Sequence, residues 1–472
     1  MIDFLELCGF RSDEIESQLP RIRKVFSKIG ITDEDIGQAK RRLNTYYDME
    51  LQGVRKMLRL CILNLADLVL AREEGKKKII YGLMSPGSDT MSAALMIRSK
   101  EVYSCNPSRN FGMVLGNIFG KLTPVFEAAE KIWLKAGAVS HCGNVKMYVG
   151  LLALDLIPKP DILVSSGFLC DTAPKTADLL QELLGIPTYC YDTCKDIETM
   201  DDPNEKQMIG LAVNNLRSLA KRLQDVVGLE ITDNMLWEVM DAGRDFGAAS
   251  LKLDTLIASS DPLPIGSTHQ ALFYRFGGTS FNIENLPGQV DAINTLYNEV
   301  QETVSKGFGV VEKGAPRIFC TQPPSEADPR LEHLLDEMDI ANVASENRLF
   351  PPDGRRSPNR ARPKDPYESL CSNLYTSMYQ TPKGRIPALI GFCKQIKVDG
   401  VLDRYHAGCR SAALDAMLIR SAITKELDIP VLLLDWENFD PRVYDYEQYQ
   451  RRFEAFKTMM LQRKEKTSPK SL

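Results

Sequence analysis

At 472 residues the chain is too long for one compact core, so two or three domains are expected. Hydrophobic content of 44% and charged content of 26% are those of an ordinary globular protein, and a net charge of −5 speaks against a nucleic-acid binder, which carries a basic face. No apolar run approaches the ~20 residues a membrane helix needs, and MIDFLELCGFRSDE lacks the charge-then-apolar order of a signal peptide, so a cytoplasmic protein away from membranes is expected. Eleven cysteines at scattered spacings in such a chain argue against a disulfide framework. They leave metal binding, catalysis or plain burial.

Residues 1–75 read as an N-terminal helical region, with apolar residues at helical spacing in LQGVRKMLRLCILNLADLVLAR. A first α/β domain is expected over 76–200. Its first strand, Lys76–Leu83, runs into MSPGSDTMSAAL, where Pro and Gly stop the strand and Ser, Asp and Thr suit a helix cap. Ser85 and Ser88 then stand at a strand's C-terminal edge, placed to hydrogen-bond a ligand or simply to make the turn. A helix is predicted over Lys121–Gly137, a short strand over Ala138–His141 and another helix over Val145–Leu154, with Cys142 in the loop between the last two. Asp161–Ser165 and Pro187–Tyr191 read as further strands, the first followed by Cys170. In CYDTC, Cys190 reads as a core residue and Cys194 is left open, since four-residue spacing with no second pair is a weak metal signal.

A helical segment is expected over 201–310, with Trp237 on a buried face. The glycine-bearing stretch at 276–288 is neither a G-x-G-x-x-G fingerprint nor a P-loop. A second α/β domain, 311–472, opens at Arg317–Thr321 and ends in a C-terminal helix. The Pro/Arg-rich stretch 351–366 reads as a surface loop, or as a phosphate-binding one through Arg355, Arg356, Arg360, Arg362 and Lys364. Val398–Leu402 and Ile429–Leu434 are strand-length runs joined by an amphipathic helix over Ser411–Glu426. The loop between the first of these strands and the helix holds Arg404, Tyr405, His406, Cys409 and Arg410. A cysteine beside two arginines at a helix start is a plausible thiolate. The alternation of strands and helices predicts an α/β fold with two doubly wound, flavodoxin- or Rossmann-like parallel-sheet domains and helical insertions.

Cys142, Cys170 and Cys409 share one context: each follows a predicted strand and precedes a predicted helix. Three thiolates suit soft metal chemistry, with iron–sulfur foremost and zinc or a purely structural role as the other readings.

Three stretches together resemble a known family. SHCGNVKMYVGLLALDLIPKPDILVSSGFLCD, with two cysteines 28 positions apart, looks like the central segment of the 2-hydroxyacyl-CoA dehydratase and benzoyl-CoA reductase family. DRYHAGC, an amphipathic helix, DIPVLLLDWENFDPR and a last helix with RFEAF are similar to its C-terminal segment. SPGSDTMSAAL resembles the loop after its first strand, although here the order is Pro86-Gly87-Ser88-Asp89.

The resemblance implies one [4Fe–4S] cluster held by Cys142, Cys170 and Cys409. It implies a related partner subunit, identical or not, an acyl-CoA substrate, and a separate ATP-dependent iron–sulfur activator that delivers a single electron. The reaction implied is a radical elimination of water, in which the thioester is reduced by one electron to a ketyl. Aryl-CoA reduction and a double-cubane electron carrier are the alternatives, the latter requiring thiols such as Cys194, Cys105 or Cys320 near the first three. On this resemblance His141 and His406 are candidates to move protons or to hydrogen-bond a cluster sulfur. Arg404 and Arg410 are candidates to offset the anionic cluster or meet the substrate.

Overall fold

The computed structural model describes residues 1–135, 142–168, 170–192, 205–275, 282–322, 324–346, 363–375, 382–406, 408–409 and 413–467. Helices Ile2–Leu7, Ser12–Lys28, Asp33–Tyr46 and Gln52–Leu70 open the chain. Thr32 caps the third, its side chain accepting from the Asp35 amide while the Asp35 carboxylate reaches back to the Thr32 amide, so two otherwise orphaned donors are satisfied. The fourth is apolar on most of its circumference and is buried accordingly. Phe4, Phe26 and Phe119 pack with ring centroids 5.3–6.1 Å apart, fastening these helices to the body of the molecule.

Two four-stranded parallel sheets follow. In the first, β1 (Lys78–Leu83), β2 (Val102–Cys105), β3 (Ile162–Ser166) and β4 (Thr188–Tyr191) stand in the order β2-β1-β3-β4. In the second, β5 (Arg317–Thr321), β6 (Ala341–Ser345), β7 (Gly400–Asp403) and β8 (Val431–Leu433) stand in the order β6-β5-β7-β8. Both sheets therefore repeat one doubly wound plan. The inner strands are buried along nearly their whole length because helices cover both faces, so they read as apolar runs and not as alternating ones.

The fold class expected from sequence is what the chain adopts, with differences in detail. β2 and β6 were not foreseen; they are short and carry Ser104, Asn342 and Ser345, which leaves no apolar run to see. The strand expected over Ala138–His141 lies outside the described residues. Of the helix expected over Ser411–Glu426, residues 411 and 412 lie outside the described residues, and Ala416–Leu427 is helical. Trp237 is only partly buried, because Leu236 and Val239 define the inward face of its helix. Cys190, read as a core residue, is exposed on the edge strand β4. Among the described residues no helix is long and apolar enough to cross a membrane.

The two sheets are joined through a π-helical turn, Gly112–Ile118, against which the segment after β5 is laid. The Asn117 side-chain amide donates to the Gly112 and Glu326 carbonyls (3.3 and 3.2 Å). Arg42 donates to the Asn117 and Gly116 carbonyls (both 3.2 Å), which the wide turn leaves available. A Cβ at Gly116 would meet the Ala327 carbonyl and lie 2.7 Å from Leu122 Cδ1. Gly116→Ala is therefore expected to cost about 1–3 kcal/mol through forced backbone movement, read as a lower denaturant midpoint at unchanged slope. An unchanged midpoint would show that the joint is looser than its geometry.

Candidate metal centre

In an open α/β sheet the ligand crevice lies beyond the strand C-termini, where the strand order reverses. Here those points fall between β1 and β3 and between β5 and β7. The residues just past β1 and β5, Met84 and Gln322, have φ of 49° and 63°, a left-handed conformation that non-glycine residues rarely adopt. Beyond Met84, Gly87 (φ 89°) precedes the helix Ser88–Met96. Ser85 and Ser88 are buried, their hydroxyls 2.7 Å apart, and the Ser88 hydroxyl lies 2.7 Å from the Ser85 carbonyl. That is the geometry of a turn, with Gly87 and no side chain at the helix's N-cap.

Cys170 and Cys409 follow the C-terminal ends of β3 and β7, equivalent positions in the two sheets. Cys142 stands at the N-cap of the helix Gly143–Ala153, with extended backbone (φ −69°, ψ 157°). All three are half-buried. The Cys170 sulfur lies 3.0 Å from the Thr172 hydroxyl. Burial pushes the Cys142 thiol above its ordinary range, and the Glu437 carboxylate and the thiols of Cys170 and Cys409 push it further. Glu437, Cys170 and Cys409 thus all lie within electrostatic reach of Cys142.

The Cys409 carbonyl accepts from the Ala413 amide (2.9 Å), a bond of helical spacing, while residues 410–412 lie outside the described residues and the next helix runs Ala416–Leu427. Arg404 supplies no positive charge to the loop: it is buried and donates to Glu332 Oε1 at 2.7 Å. Arg410 and His141 lie outside the described residues, as do Cys194 and most of the Arg/Pro-rich stretch, including Arg355, Arg356, Arg360 and Arg362. Cys105 and Cys320 are buried on β2 and β5.

His406 is placed with definite polarity. Its Nδ1 accepts the Gly408 amide hydrogen (3.1 Å), so a neutral ring carries its proton on Nε2, which lies 2.8 Å from Glu437 Oε2. Glu437 also accepts the Gly143 amide hydrogen on Oε2 and the Phe439 amide hydrogen on Oε1, both at 3.1 Å. Sequence reasoning missed Glu437. The signal was an acidic residue shortly after the last strand, at the edge where ligands gather.

Among the described residues no three His, Cys, Asp or Glu side chains are grouped closely enough to hold a single metal ion. Zinc on three thiolates, which needs every sulfur about 2.3 Å from one ion, is therefore not favoured. A cluster in which each thiolate binds a different iron accepts a wider set, and Cys142 with the two thiols that act on it electrostatically is a donor set of that kind. A sequence model of the family described as 2-hydroxyglutaryl-CoA dehydratase, D-component, matches residues 111–460. The match takes in Cys142, Cys170 and Cys409 and begins beyond the Ser85–Ser88 turn. No curated protein matches the chain.

Proposed function

The chain belongs to the 2-hydroxyglutaryl-CoA dehydratase D-component family, and from that premise we propose that it is the [4Fe–4S]-bearing subunit of a radical 2-hydroxyacyl-CoA dehydratase. Cys142, Cys170 and Cys409 would hold the cluster. The observation that supports this reading is that Cys170 and Cys409 follow the C-terminal ends of equivalent strands in the two sheets and that both act electrostatically on Cys142. When bound, such a cluster supplies one-electron transfer and a Lewis-acidic iron.

The chemistry needs that electron because the β-hydrogen of a 2-hydroxyacyl thioester is not acidified by the carbonyl. One electron added to the thioester carbonyl gives a ketyl radical anion, which expels the 2-hydroxyl as hydroxide. The β-proton of the resulting radical is acidic; after its loss the electron is given back, so water leaves with no net redox change. The protein's part is to hold protons and exclude water. His406, whose Nε2 lies 2.8 Å from Glu437 Oε2 without hydrogen-bond alignment, is a group able to hold or pass a proton beside the Cys409 loop. The electron would come from a separate ATP-dependent activator, and a related subunit would complete the enzyme.

The test is iron and acid-labile sulfide in protein purified without oxygen. About four of each per chain are expected, together with water elimination from a 2-hydroxyacyl-CoA once an activator and ATP are supplied. Freshly prepared anaerobic protein that holds no iron would sink the reading.

A further inference from the structure

The segment that follows β8 does more than end the sheet. The Leu434 amide donates to the Asp403 carbonyl (2.8 Å) and the Trp436 amide to the Tyr405 carbonyl (2.9 Å), so residues 434–436 run hydrogen-bonded beside the start of the Cys409 loop. This fixes where Glu437 emerges. Its carboxylate then meets two loops at once. On one side Oε2 accepts the amide of Gly143, the residue after Cys142 (3.1 Å). On the other, Oε2 lies 2.8 Å from His406 Nε2. His406 in turn shapes the Cys409 loop, through Gly408 N–H to Nδ1 (3.1 Å) and Cys409 N–H to its own carbonyl (2.9 Å).

The fit at Gly143 is tight. A Cβ there would stand 2.8 Å from Phe439 Cβ and 3.1 Å from the Asp440 amide nitrogen, so the 437–440 segment is pressed directly on the Cys142 side. The chemistry also demands a carboxylate. Gly143 and Phe439 each donate an N–H to a different oxygen of Glu437. A glutamine has one acceptor oxygen and would turn an NH2 toward one of those donors.

We propose that Glu437 is a positioning residue: its carboxylate clamps the Cys142 and Cys409 loops at a fixed separation and keeps a negative charge beside them. Holding ligands in place from behind is how groups next to a metal centre set its affinity and potential. The functional weight of the clamp rests on the reading of Cys142 and Cys409 as ligands of one cluster.

Two measurements test it. In metal-free full-length protein, a short bismaleimide links neighbouring thiols, and the linked peptides are identified by mass spectrometry. In Glu437→Ala the Cys142–Cys409 link is expected to form about tenfold more slowly than in wild type, as effective concentration falls, while the Cys142–Cys170 link keeps its rate. Equal Cys142–Cys409 rates in the two proteins, or an equal loss of both links, overturns the clamp. In Glu437→Gln, which keeps the shape and lacks the charge, the reduction potential of the reconstituted centre is expected to rise; an unchanged potential overturns the electrostatic part of the proposal. The cross-linking needs no iron, so it separates failure of the clamp from failure of the cluster reading, which would show as wild-type protein without iron.

Discussion

Replacing Glu346 by alanine is expected to lower folding stability by about 3–5 kcal/mol, the usual cost of breaking a buried ion pair from one side. Glu346 follows β6 and receives both faces of the Arg385 guanidinium fork, Nε to Oε1 at 2.8 Å and Nη2 to Oε2 at 2.7 Å. Their side chains are 0% and 4% exposed, so water cannot take the place of the lost carboxylate. Burial pulls the Arg385 pKa down, but the Glu346 carboxylate, with Asp403 and Asp415, more than restores it and holds the group charged. In the variant the ion pair left to that cation among the described residues would be Asp415, at 3.3 Å, with Asp403 acting from further away. Urea unfolding measures the loss; a cost under about 1 kcal/mol would mean that the site opens to solvent. The double variant Glu346→Leu with Arg385→Met, which removes both charges, should recover much of the loss.

Asp403, in the same cluster, behaves in the opposite sense. Burial pushes its carboxyl above the ordinary range; Thr321 lies 2.6 Å from Oδ1, and Oδ2 is without a hydrogen-bond partner. The folded chain therefore keeps a proton here that the unfolded chain releases near about pH 3.9. The contribution of this group is most favourable below that pH and is lost as pH rises through the raised value. Asp403→Asn should cost little at neutral pH and should flatten that part of the stability profile.

How far these sites were readable depends on whether the relevant contact is local. Tyr81, Val164 and Phe319 lie in runs buried on both faces, so β1, β3 and β5 announce themselves as apolar stretches between turns. From β3, and from the equally buried run of β7, the edge positions of Cys170 and Cys409 followed. β6 did not announce itself, because Asn342 and Ser345 interrupt it and its partner β5 lies across a helix and two loops. Arg404 shows the limit most clearly. Beside Cys409 it reads as a functional cation, yet its charge is met by Glu332, 72 positions earlier and on another element. Glu437 is the reverse case: its place just after the last strand is a faint local sign, and its partners Gly143 and His406 come from opposite halves of the chain. A pattern of residues gives strands and their edges; it does not give which charge meets which.

The largest effect expected concerns the cysteines themselves. Cys142→Ala, Cys170→Ala and Cys409→Ala should each lose or degrade the iron–sulfur centre when purified without oxygen. Cys105→Ala and Cys320→Ala should retain it. The two groups differ in place, not in chemistry. The first three are half-buried beyond strand or helix ends, and Cys142 is under the electrostatic influence of the other two. Cys105 and Cys320 lie within strands, 2% and 0% exposed, with Cys320 Sγ 3.4 Å from Asn342 Oδ1. Cys105 is packed within β2 and does not stand in a loop beyond the strand's C-terminal edge. Truncating either strand cysteine should cost stability of about 1 kcal/mol through the small cavity left behind, while the visible absorption of the centre and its iron content remain. Iron kept in Cys409→Ala but lost in Cys320→Ala would reverse the assignment, placing the centre within the second sheet instead of at its C-terminal edge.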